Sequence, residues 1–142
     1  MESTLLGMVL DSSAVIAAER QKLEVADFIE KILQAYGSVE LSLSPVTVAE
    51  LVHGIFRANT SDAAGRRKAY IEELIALIPV HPITTRTGWL AGQIEGQEAS
   101  TGNVLPFPDL LIAPTAIEQG YAVLTGNVRH FQKVPGLTVL AI

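Results

Sequence analysis

Five short β-rich runs separated by longer stretches of helical pattern constrain the fold of this chain more than any other feature. The runs are "LLGMVL" (Leu5 to Leu10), "VELSLS" (Val39 to Ser44), "IPVHPI" (Ile78 to Ile83), "YAVLT" (Tyr121 to Thr125) and "LTVLAI" (Leu137 to Ile142). Helical periodicity fills the gaps at Ser13 to Glu19, Val25 to Tyr36, Thr47 to Ala58, Ala63 to Leu77, Thr85 to Ser100 and Asp109 to Gln119. Strands interleaved with helices predict an α/β fold with a mostly parallel sheet of about five strands, covered on both faces. No repeat, low-complexity tract or linker divides the 142 residues, so residues 1–142 are read as one domain.

In such sheets, ligands bind beyond the carboxyl ends of the strands, near the point where strand order reverses. Asp11 directly follows the first run, and Thr125, Gly126 and Asn127 stand at the end of the fourth. If both strands are central, these groups share one rim.

Composition narrows the chemistry available there. The chain has no cysteine, which excludes disulfides, thiolate zinc sites and cysteine nucleophiles and fits a reducing, cytoplasmic setting. His53, His81 and His130 are too widely spaced for an H-x3-H zinc pair, so a metal must be held mainly by oxygen, which points to Mg²⁺ or Mn²⁺. Glu2 stands where a signal peptide needs a basic residue, Asp11 interrupts the apolar stretch, and no run reaches membrane-spanning length. A net charge of −5 argues against a large basic surface for nucleic acid, although a bound cation can invert the charge of a local site. The apolar share of 49% exceeds what the core of one small domain needs and predicts a covered surface, as in a homodimer.

Three carboxylates occupy distinctive positions, and each also has a plain structural reading. Asp11 in "VLDSSAVIAAE" is placed to cap the following helix, although Ser12 and Ser13 can do so instead. Glu50 in "SPVTVAELVHGIFRA" matches a capping box with Thr47, but Ser44-Pro45 is the better helix start and leaves Glu50 in the second turn. On that helix Val48, Leu51, Val52, Ile55 and Phe56 form an apolar stripe, and Glu50, His53, Gly54 and Arg57 a polar one, within which a Glu50–Arg57 pair is the plain alternative. Asp109 in "FPDLLIAPTA" sits in a first turn, where the helix dipole favours an acid by about 0.3–1 kcal/mol.

The runs "VLDSSAVIA", "SPVTVAELVHGIFRA", "FPDLLIAPTA" and "LTGNVRHFQKVPGL" resemble, in order and nearly end to end, the motifs of PIN-domain ribonucleases, specifically the VapC-type toxins of toxin–antitoxin pairs. The resemblance implies a three-layer α/β/α fold and an acidic cluster of Asp11, Glu50 and Asp109 that binds Mg²⁺ or Mn²⁺ and hydrolyses RNA to products with a 5′-phosphate and a 3′-hydroxyl. It implies that Thr125 and Asn127 belong to the polar loop after the fourth strand, with Ser12 as a further candidate. It also implies a homodimer and a cognate VapB-type antitoxin. His130 stands where many relatives carry a fourth acid; it is read either as a phosphate or proton-transfer group or as a surface replacement. Pro114 replaces a common alanine and predicts a kink, or a helix restarting at Thr115.

Substrate contacts are expected from the scattered cations Arg57, Arg86, Arg129 and Lys133, while "GRRK" (Gly65 to Lys68) is read as a solvated helix face. So few cations favour selection of a structured RNA loop over readout along a strand. An inactive PIN module that only binds RNA or antitoxin stays open as an alternative. A receiver domain or a haloacid-dehalogenase-type phosphatase fits less well: Ser13 stands where the phosphatase needs a second Asp, and the receiver's acidic pair and late lysine are missing.

Overall fold

The computed structural model describes residues 5–142, so the first four residues of the predicted N-terminal segment lie outside it. Its elements run β1 (Gly7–Leu10), α1 (Ser12–Arg20), α2 (Val25–Tyr36), β2 (Glu40–Leu43), α3 (Pro45–Phe56), α4 (Ser61–Leu77), α5 (Thr85–Ala99), α6 (Phe107–Gln119), β3 (Ala122–Thr125), α7 (Val128–Gln132) and β4 (Val139–Ala141). All strand pairings are parallel, in the order β2-β1-β3-β4. The chain leaves β1 for β2 on one side and later returns as β3 on the other. The order therefore reverses at the carboxyl ends of β1 and β3, where Asp11 and Thr125 stand.

Strand periodicity of two explains the two cores. Met8, Leu10, Ala122 and Leu124 face one layer with Ala14, Val15, Val25, Phe28 and Leu74 of α1, α2 and α4. Val9 and Val123 face the other, with Ile94, Ile112, Ala113 and Phe131 of α5, α6 and α7. Gly7 is required by close approach: a Cβ there would lie 2.7 Å from both the Glu40 carbonyl oxygen and the Tyr121 ring.

The sheet has four strands among the described residues, one fewer than expected. "IPVHPI" makes only a parallel bridge of Val80 to Leu43, with Leu43 N donating to the Pro79 carbonyl (2.9 Å) and His81 N to the Leu43 carbonyl (2.8 Å). Pro79 and Pro82 offer no N–H, so the ladder cannot extend.

Two helices also depart from expectation. α6 passes Pro114 without interruption and does not restart at Thr115. Residues 112–116 are all buried, and the Thr115 hydroxyl donates to the Leu111 carbonyl at 2.8 Å, so tertiary packing holds the turn that the proline weakens. α3 begins as expected, with Ser44 Oγ accepting from Val46 N at 3.1 Å and Pro45 in the first turn. Its apolar stripe, however, is only partly used. Leu51 is buried, but Val52 is 37% and Phe56 83% exposed, because the helix is anchored along the Thr47–Leu51 edge and its outward flank meets nothing in this chain.

Candidate functional site

Asp11 takes the N-cap backbone position of α1, yet its side chain caps nothing. Its Oδ2 instead accepts from Ser13 Oγ (2.7 Å) and from Thr125 Oγ1 (2.8 Å), 114 residues away. Each hydroxyl has one proton and spends it on this oxygen, so the 3.2 Å contact between Ser13 and Thr125 is a by-product of their shared acceptor. Their lone pairs are filled from the loop after β3: Gly126 N donates to Ser13 Oγ (2.9 Å) and Asn127 N to Thr125 Oγ1 (2.8 Å). The buried Asp11 carboxylate is therefore fixed by a network that staples β1, α1 and β3 together. The helix-cap reading is excluded.

Glu50 reaches the same rim from α3. Buried Thr47, on the turn before, donates its hydroxyl to the Leu10 carbonyl at 3.1 Å and so pins α3 to the end of β1, one residue from Asp11. Ser12 Oγ donates to Glu50 Oε1 at 3.1 Å. The Glu50 carboxyl is raised above its usual range, by burial first and by the charge of Asp11, against the lowering hydrogen bond from Ser12. No Glu50–Arg57 pair forms; Arg57 Nη2 donates instead to His53 Nδ1 at 3.0 Å.

Asp109 enters from the first turn of α6 and is buried. Its carboxyl is pushed up to about 6, by burial first, then by Asp11 and, more weakly, Glu50, with His130 acting in the lowering direction. His130 Nδ1 stands 2.9 Å from Asp109 Oδ2, so this histidine is engaged with the third acid and is not a bystander. The contact is poorly aligned, however, and Oδ2 is buried without a hydrogen-bond partner. Fully buried Phe131, next in sequence, anchors the short α7 that presents His130.

The fold thus brings Asp11, Glu50, Asp109, Ser12, Thr125, Asn127 and His130 to one rim. Asn127 contributes its backbone N–H there. Arg86 and Arg129 are exposed on α5 and α7, and neither enters the rim's hydrogen-bond network. Ser13, read from the sequence only as a possible helix cap, and Thr47 are structural partners of the site that local pattern did not reveal, whereas Gly126 lies on the rim as expected.

The donors converging here are carboxylate and hydroxyl oxygens, the ligand class preferred by hard divalent cations. Mutual repulsion of the acids is what such a cation would relieve, so the donor chemistry fits. As the side chains stand, no three carboxylate or imidazole groups among the described residues are close enough to hold an ion between them. Binding therefore requires them to draw inward.

Comparison with known proteins agrees with this geometry. The family profile of the PIN domain matches residues 8–137. Ribonuclease VapC1 of Rickettsia felis is 31% identical over 137 residues, covering 96% of this chain and 97% of its own. The tRNA(fMet)-specific endonuclease VapC of Salmonella typhimurium is 31% identical over 99 residues, 70% of this chain and 73% of its own. Among solved structures, DNA-bound VapBC from Salmonella typhimurium superposes with a TM-score of 0.80 at 27% identity, covering 96% of this chain and 98% of its match. VapBC2 from Rickettsia felis, bound to a promoter fragment, has a TM-score of 0.82 and shares the fold at 15% identity, covering 96% of this chain and 99% of its match.

Proposed function

The chain belongs to the PIN-domain family, and from that premise we propose that it is a divalent-metal-dependent endoribonuclease, the toxin of a toxin–antitoxin pair. The observation that carries this reading is the arrival of Asp11, Glu50 and Asp109, from three separate elements, at the rim where strand order reverses, with Asp11 bearing electrostatically on both of the others.

Mg²⁺ or Mn²⁺ would be held by these three acids, where it acidifies water and neutralises charge on the phosphate. The chain's own residues do the rest. Ser13 and Thr125 fix the angle of Asp11; Ser12 restrains Glu50. Asp109 and Glu50 are the carboxylates that orient the attacking water. Water oxygen bonds to phosphorus as the bond to the 3′ oxygen breaks, one water proton passing to a rim carboxylate and the departing 3′ oxygen taking up a proton from solvent, which leaves a 5′-phosphate and a 3′-hydroxyl.

A VapB-type antitoxin restrains the toxin in this reading, by analogy with the solved VapBC toxin–antitoxin complexes that share the fold. A homodimer covers the outward flank of α3, where Phe56 is largely and Val52 partly exposed, and large apolar side chains such as Trp89 (72% exposed) remain uncovered elsewhere. No helix among the described residues is long and apolar enough to cross a membrane.

The test is cleavage of total RNA by the purified protein with Mn²⁺, in EDTA, and as the Asp11→Asn variant. Cleavage that needs the cation and disappears in the variant is expected. RNA binding without metal-dependent cleavage would establish a binding module instead.

A further inference from the structure

A cleft of about 510 Å³ opens beside the acidic rim, between α1, α3 and α4, and Glu50 forms part of its wall. Five of the chain's ten lysines and arginines line it: Arg20, Lys22, Arg57, Arg66 and Arg67. Against them stand only two carboxylates, Glu50 itself and Glu19. The expectation that "GRRK" is a solvated helix face is therefore incomplete, since Arg66 and Arg67 turn into this cleft.

These cations are not consumed by the fold. Among the described residues, the only ion pairs are His81–Glu118 and His130–Asp109, so none of the five has a carboxylate partner. Arg67 donates to the Gly54 carbonyl and Arg57 to His53, which tethers both guanidinium groups at the end of α3 with donors to spare. The hydroxyl of Tyr70, also in the wall, is buried with no hydrogen-bond partner. Burial first, then Glu19, Glu24 and Glu73, push its pKa up to about 12, so it persists as a donor without an acceptor.

Lys22 adds an independent sign. It adopts φ +60, the left-handed conformation in which glycine is the unstrained residue and a side chain is penalised. The turn between α1 and α2 thus holds a cation at the cleft wall.

We propose that this cleft is the phosphate track for the RNA strand, gripping the backbone on one side of the scissile bond and delivering it past Glu50 to the acidic rim. The proposal rests on the ribonuclease reading above. Arginines without a carboxylate partner recognise phosphate through bidentate donors. An acidic protein segment would also satisfy the charge. RNA is favoured because the wall includes Glu50: a strand cut at the rim must carry its neighbouring phosphates past that residue. The adjoining hollow, where Glu24 and Glu73 appear, marks the end of the track.

The experiment measures binding of a 5′-labelled, mixed-sequence single-stranded RNA by fluorescence anisotropy in EDTA, as a function of salt. The full chain is compared with an Arg20→Gln/Lys22→Gly/Arg66→Gln variant and with Lys31→Gln/Lys68→Gln, whose cations lie outside the cleft. Lys22→Gly relieves the strained φ, and thermal melting of each variant confirms folding. Losing three single-strand phosphate contacts should lower the slope of log K against log salt by about 2, so that affinity lost between 50 and 200 mM salt shrinks by about twentyfold. The double variant should keep nearly the full slope. A folded triple variant with the wild-type slope overturns the proposal. So does wild-type RNA affinity combined with lost binding of a poly-glutamate peptide, which would assign the cleft to an acidic protein partner. Metal-dependent cleavage by the wild type is scored separately: cleavage with unchanged binding in the triple variant sinks the track alone, whereas cleft-dependent binding without cleavage supports it and sinks the ribonuclease reading.

Discussion

Neutralising Asp109 should make the metal-free protein more stable while abolishing its proposed activity. In the folded chain this carboxyl holds its proton up to about pH 6, against an ordinary value of 3.8, because burial, Asp11 and Glu50 all oppose its charge. A raised folded-state pKa means that the group's contribution to stability is complete below the unfolded value and is lost as pH climbs through the folded one. The loss therefore falls between about pH 4 and 6, and at pH 7.5 the wild type carries all of it. A shift of this size has a ceiling of about 3 kcal/mol. The Asp109 side chain is 10% exposed at a solvent-facing rim, and screening by water reduces the figure to about 1–2 kcal/mol. For a chain of this length, Asp109→Asn should then raise the melting temperature in EDTA by about 3–8 °C at pH 7.5. At pH 4 the difference should nearly vanish. Saturating Mn²⁺ should reverse the order, since a ligand at 100 times its Kd stabilises by about 2.7 kcal/mol and only the wild type keeps all three acids. Differential scanning fluorimetry at the two pH values, with and without Mn²⁺, measures every term. An equal gain at pH 4 and 7.5, or none at either, would refute the electrostatic argument.

Three further outcomes follow from the same geometry. Thr125→Val removes the hydroxyl that both orients Asp11 and receives the Asn127 amide; denaturant melts should show a loss of about 1–3 kcal/mol, and RNA cleavage should fall sharply. Phe131→Ala empties a fully buried site under α7 and should cost about 3–5 kcal/mol in the same melts. His130→Ala removes the group that lowers the Asp109 pKa, so in EDTA the pH window over which thermal stability falls should move to higher pH; an unmoved window would detach His130 from Asp109.

What could be read from the sequence was whatever depends on local order. The alternation of strands and helices, the Ser44-Pro45 start of α3 and the motif positions of the three acids all have short-range signatures, and each appears where expected. The illegible parts depend on contacts across the chain. Whether Asp11 caps α1 was open from its neighbours alone, and Thr125, 114 residues away, decided it. The five-residue α7 is too short for periodicity to register, although its buried Phe131 positions His130. The apolar pattern of α3 marked an amphipathic helix correctly but could not tell a core-facing flank from an exposed one, because Val and Phe occur on both. Pro79 and Pro82 did carry the signal against a fifth strand; β-branched neighbours outweighed them.

Net charge is a weak guide to a local site for a related reason. A total of −5 repels a polyanion at long range, yet electrostatic potential near a surface is set by charges within about a Debye length, roughly 8–10 Å at ordinary ionic strength. Three of the fifteen acidic residues gather at one rim, where a divalent cation would turn their repulsion into attraction for phosphate, and half of the basic ones gather in the adjoining cleft. Glu50 belongs to both sites, so the charge changes sign across a single side chain. On this reading, an RNA strand meets favourable potential along the cleft at any time, but at the rim only once the metal is bound. Binding then tolerates chelation, whereas cleavage does not, and that separation is what a purely catalytic or a purely binding module would fail to show.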